Sequence, residues 1–193
     1  MSDVSAEHIG MLVELLVGAS RRERQEAAHE LALAAKEDPN VVCEHLKVLV
    51  KALKVSEAQT RWEIMDILTL ACSEHADVVA KALGAAEDAL FDETSATVRL
   101  SAFRMLTRLA ATTPARSKRI WPLLDEAIQC FHGDAEYRDM LSSLVDFAQG
   151  NIASATRQAL IDRVKFDAQT ADGYIKTYSE NIIAATGTSL KQP

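Results

Sequence analysis

Four arginines, Arg24, Arg61, Arg99 and Arg138, stand 37, 38 and 39 residues apart, and the residues behind each fall into register. Three positions on come Ala27, Ile64, Ala102 and Leu141; seven on, Leu31, Leu68, Leu106 and Val145; ten on, Ala34, Ala71, Leu109 and Ala148. Lys176, a further 38 along, continues the series in a weaker frame. A recurrence of this length, with small and apolar residues at fixed offsets, marks paired-helix repeats that bury their apolar faces by stacking on one another. The expectation is an all-α chain, a right-handed α-solenoid of about five stacked helix pairs. With 7 Gly and 4 Pro in 193 residues there is too little turn chemistry for an all-β alternative.

Local signals divide the repeats into helices. SRRE at Ser20 and SEAQ at Ser56 read as capping boxes opening the second helices of repeats one and two. Asp134 is the expected N-cap of the fourth. Asp38-Pro39 and Thr113-Pro114 place proline where an intervening helix starts, and Gly133 and Gly150 stand where helices end. Pro122 falls inside the first helix of the fourth pair, where it should kink that helix or delay its start. Residues 1–186 are expected to form one solenoid domain and 187–193 a flexible tail.

At about 100° per residue, the apolar offsets gather on one arc and the arginine sits inside it, in the first helical turn. A cation there opposes the helix dipole and needs an acceptor. The carbonyls ending the neighbouring helix, or a carboxylate such as Glu93, are the candidates. Arg24, Arg61, Arg99 and Arg138 therefore read as a structural ladder rather than as ligand contacts.

TVRLSAFRMLTRLA, from Thr97, and less cleanly TRWEIMDILTLA, from Thr60, resemble the second helix of HEAT repeats of the armadillo-like class. There an arginine is followed by a small or apolar residue at +3 and by leucine at +7. The resemblance covers most of Ser5 to Gly150. It implies that second helices line a concave face used to hold partners. The family's usual aspartate, six before the arginine, is approximated only by Glu93.

The polar arc is expected at +1, +5, +8 and +12 from each arginine. It would carry His29 and Lys36, then Trp62 and Asp66, then Arg104, then Asp139. Arg108, at +9, lies at its edge. An exposed tryptophan is a binding anchor, and the charges around it would orient a partner. Trp62, Asp66, Arg104, Arg108, His29 and Asp139 are thus the candidate partner-binding residues. Trp62 and Asp66, one turn apart in WEIMD, are also similar to a pair in HEAT-like DNA glycosylases that repair alkylated bases. That similarity implies a catalytic role for Asp66 in steadying charge on the sugar. The second tryptophan of those enzymes has no counterpart in DMLSSLVDF.

The net charge of −7 disfavours nucleic acid as a partner, although residues 96–119 alone carry +6. No apolar run approaches the roughly 20 residues of a membrane span. Three cysteines without framework spacing suit a reducing compartment, so a cytoplasmic protein is expected. Cys43 with His45, Cys72 with His75 and Cys130 with His132 lie at unrelated places in their repeats and read as packing cysteines beside helix-end histidines. No metal and no cofactor is expected. The chain reads as a non-enzymatic module holding another protein, with DNA repair or DNA binding as the alternative. Self-association is a further possibility, through the apolar first helix HIGMLVELLVGA.

Overall fold

In a computed structural model, residues 6–187 are described. They are all-α, with no strand among the described residues. The expected flexible tail lies, from residue 188 on, outside the described residues.

Among the described residues ten α-helices follow in chain order. They are α1 (Ala6–Leu16) and α2 (Arg21–Glu37); α3 (Leu46–Ala52) and α4 (Ala58–Val79); α5 (Leu83–Leu90) and α6 (Ala96–Ala110); α7 (Pro114–Cys130) and α8 (Tyr137–Gln149); α9 (Ser154–Thr170) and α10 (Gly173–Ala185). Short 3-10 segments, Pro39–His45 and Ala80–Ala82, lead into α3 and α5. The residues divide into two compact units, one ending at Met105 and one beginning at Leu106. In the first unit α1 packs on α2 and α2 on α4. In the second, first helix packs on first helix (α7 on α9) and second on second (α8 on α10). That is the stacking expected of paired-helix repeats.

The core is made by the offsets that repeat. Ala27, Leu31 and Ala34 on α2, Ile64, Leu68 and Ala71 on α4, and Ala102, Leu106 and Leu109 on α6 are all buried. Much of this core is alanine, which lets helices approach closely.

The arginine ladder is present at Arg24, Arg61 and Arg99, and the expected carbonyls ending the preceding helix are among its partners. Arg24 and Arg99 each stand fourth in their helix and donate to carbonyls just past the preceding helix: Gly18 and Ala19 at 2.8 and 2.9 Å, and Asp92 at 2.8 Å. Those carbonyls sit at the negative end of a helix dipole, which compensates the cation. Arg24 also pairs with Glu57, and Arg61 with Asp92 at 2.5 Å, so each reaches the acid that introduces the next second helix. Asp92, rather than the exposed Glu93, is the ladder carboxylate. Arg138 is not a rung. Helix α8 begins at Tyr137, so Arg138 is only its second residue and is exposed. In this unit Arg157, fourth in α9, donates to the Ala148 carbonyl at 2.6 Å instead.

The caps follow the same pattern of agreement and displacement. Ser20 accepts from the Glu23 amide and Thr113 from that of Arg116, with Pro114 opening α7. Asp38 caps the segment that Pro39 opens. Ser56 does not cap α4, because the extended residue before that helix is Glu57, held by Arg24. Asp134 does not cap α8 either; it lies in the turn after Gly133, whose φ of +85° needs glycine, and Glu136 precedes the helix. Pro122 neither delays nor interrupts α7, which runs from Pro114 through Cys130 with Pro122 exposed. Helix α4 is long because the last turn of repeat two runs into repeat three, with non-helical geometry at His75 marking the join.

Candidate binding groove

The second helices α2 and α4 lie side by side, and α6 completes a groove of about 270 Å³ within the first unit. Ala32 and Lys36 come from α2, Asp66, Ile67, Thr69 and Leu70 from α4, and Arg104 from α6. Its walls are mainly apolar, and three ionisable side chains converge on it.

Asp66 is the central one. It is half-buried on α4 and hydrogen-bonded to Ser101 of α6. Burial pushes its carboxyl above the ordinary carboxylate range, and Glu63 adds to that push. The Ser101 hydrogen bond and the charges of Arg104 and Lys36 oppose it. The groove therefore holds two cations beside one carboxylate that is costly to ionise.

Of the sequence-predicted residues, Asp66 and Arg104 meet in this groove. Trp62 stands one turn before Asp66 on α4 and is half-buried, so part of its ring surface is covered by the protein itself. His29 is exposed on α2 and its Nδ1 lies 2.9 Å from Oε1 of Glu63, which is buried. Arg108 is exposed one turn after Arg104, and Asp139 is exposed in the first turn of α8; both belong to the second unit.

The exposed arc is rotated from the expected one. Position +8 is covered on α2 and α6, where Ala32 and Thr107 are buried. Position +9 opens instead, leaving Leu33 49% and Leu70 40% exposed, with Arg108 exposed at the same offset. Leu33 and Leu70 are the surface residues that sequence reasoning missed. Their shared offset was visible, but leucine at the edge of an apolar arc is ordinarily assigned to the core.

The remaining candidates resolve simply. Cys72 is buried and Cys43 half-buried, whereas Cys130 is exposed at the end of α7 and is not a packing cysteine. No group of three metal-ligating side chains is found among the described residues. No described helix is long and apolar enough to cross a membrane. Met11 and Val17, on and just past α1, stand exposed.

No family model and no curated protein matches the sequence. Solved structures do resemble the fold. A designed armadillo repeat protein in complex with the peptide (KR)4 superimposes with a TM-score of 0.74 at 18% identity, over 93% of this chain and 82% of its own. The fold is an armadillo-like α-solenoid. Computationally designed armadillo repeat proteins for modular peptide recognition match at 0.72 and 18% identity, over 93% of this chain and 82% of theirs. An engineered protein matches at 0.73 and 16% identity, over 94% and 80%. All three are synthetic, so the likeness is one of repeat geometry.

Proposed function

We propose that this armadillo-like solenoid is a non-enzymatic module that binds another protein, holding an extended segment across the groove of α2, α4 and α6. The observation that carries the proposal is the groove itself. Three successive second helices each contribute to it, so a chain crossing them meets new side chains in every repeat. Leu70 offers apolar contact, and Asp66, Lys36 and Arg104 set register through charge. Trp62 and His29 extend the surface along α4 and α2. Arg108 and Asp139 are proposed as partner contacts within their own unit. Two of the structural neighbours, designed armadillo repeat proteins described as bound to a peptide or built for peptide recognition, support this use of the fold. The (KR)4 peptide is basic, whereas this groove sets two cations against one hindered carboxylate. The segment held here should accordingly be apolar with an acidic side chain.

The test is selection from a random peptide library on the intact protein, followed by affinity measurement. Enriched peptides should carry an acidic residue beside apolar ones and weaken at least about tenfold on Arg104→Glu. Enrichment of nothing, or peptides indifferent to both Arg104→Glu and Leu70→Ser, would remove the proposal. Anisotropy of a labelled DNA duplex at low and physiological salt supplies the other arm. Tight binding that falls steeply with salt would turn the assignment toward nucleic acid and make Asp66→Asn on alkylated substrates the next experiment.

A further inference from the structure

The second unit holds a pocket of about 310 Å³ between the end of α7, the start of α8 and the outer side of α9. It is at the small end of the roughly 300–1,000 Å³ typical of ligand sites. Tyr137 lines it and is only 2% exposed, and its hydroxyl, which still touches solvent, makes no hydrogen bond to any described residue. Asp167 also lines the pocket. One of its carboxylate oxygens, Oδ2, lies 3.2 Å from Nε2 of His132, whose ring is held against Tyr137 with centroids 4.8 Å apart. Gln129 turns its amide N–H groups to Asp125, at 3.0 and 3.3 Å, which leaves its carbonyl as an acceptor. Phe166 is 71% exposed at the rim, the most exposed large apolar side chain among the described residues.

The polar groups left over here can all accept: the second oxygen of Asp167, the Gln129 carbonyl and the Tyr137 hydroxyl, which can also donate. The lining cation, Arg163, is already paired bidentately with Asp125 at 2.5 and 2.8 Å. An ammonium group donates three hydrogen bonds and accepts none. It is also attracted to an aromatic face such as that of Phe166. We propose that this pocket binds a primary ammonium on a short alkyl chain, with Asp167 as counter-ion, Tyr137 and Gln129 as further acceptors, and Phe166 against the alkyl stem. The same chemistry is offered by a free alkylamine and by a lysine side chain of a partner.

The experiment is amide NMR of the full chain, titrated separately with n-butylamine, Nα-acetyl-lysine methylamide and the Nε-acetylated form of the latter. The two amines should produce saturable shifts at the amides of Tyr137, Phe166 and Asp167, and the neutral Nε-acetyl compound should not. Equal affinity for both amines would identify a small-amine site, and tighter binding of the lysine compound a site for a protein side chain. Asp167→Asn should weaken binding about tenfold, and Phe166→Ala, at an exposed position that folding does not need, about threefold. Absence of saturation, equal shifts from the Nε-acetyl compound, or full affinity in both variants would overturn the proposal.

Discussion

Asp92 shows how a single side chain serves two structural purposes. It accepts from Arg61 on one oxygen, and on the other it takes the amides of Thr94 and Ser95 and the Thr94 hydroxyl, so it closes the turn before α6. Burial opposes its ionisation, but Arg61 and Thr94 outweigh that and bring its carboxyl down to about 2. A depressed carboxylate stabilises the folded state fully above its ordinary range near pH 4, and that contribution is lost as pH falls toward 2. Glu57, held down by Arg24 against burial, acts in the same sense. Asp92→Asn should cost about 2 kcal/mol in urea unfolding at neutral pH, because the half-buried Arg61 is left without its counter-charge, and should flatten the acid limb of the stability profile. Asp66 has the opposite sign. Its carboxyl is raised by burial, so ionising it works against folding as pH climbs past the ordinary carboxylate range. Asp66→Asn should therefore leave stability at pH 7 unchanged or raise it by up to about 1 kcal/mol. A clear loss in thermal denaturation would contradict that sign.

Helix starts explain which arginines became rungs. A ladder arginine must be fourth in its helix to reach back to the carbonyls ending the previous one, as Arg24, Arg99 and Arg157 do. Sequence spacing placed Arg138 in the series, but α8 starts late, after the turn at Gly133, and the side chain faces solvent. Gly150, which ends α8, is needed for space rather than for its backbone angles. A Cβ there would lie 2.6 Å from that of Ala111, where the Asn151 amide donates to the Ala111 carbonyl at 2.8 Å. Gly150→Ala should destabilise by about 1–3 kcal/mol. Adding Ala111→Gly should restore only part, since the Ala111 backbone is itself within 3.0 Å. Pro122 sits exposed inside an uninterrupted α7, where it withholds one amide donor. Pro122→Ala should raise the unfolding midpoint, with a gain of about 1–3 kcal/mol.

Each compact unit contains one of the two tryptophans, Trp62 in the first and Trp121 in the second. Trp121 is stacked on Phe147 at 6.1 Å and 3°, while Trp62 stands half-buried on α4. Single-tryptophan variants, with phenylalanine at the other position, would follow the units separately. Stability in stacked repeats is dominated by neighbouring interfaces. Phe147→Ala, which empties a fully buried site at a typical cost of about 3–5 kcal/mol, should lower the Trp121 transition more than the Trp62 transition. Equal shifts would show that the chain unfolds as one cooperative body.

The sequence by itself determined the class of fold, because the 37–39 residue period and the buried offsets at +3, +7 and +10 leave each helix pair only one way to cover its apolar face. It also determined the cap at Ser20 and the start of α7 at Pro114, whereas the same capping-box spacing at Ser56 was overridden by Glu57. Asp66 and Arg104 were legible as groove residues because their shared offset points them the same way. Only the tertiary structure decided which arginines found carbonyls, that position +9 rather than +8 stays open, and that Tyr137, Asp167 and Phe166 line one pocket. Those outcomes turn on a helix starting two or three residues early or late and on which neighbour packs over which face. A shift of one residue rotates a side chain by about 100°, and nothing in the local sequence records it.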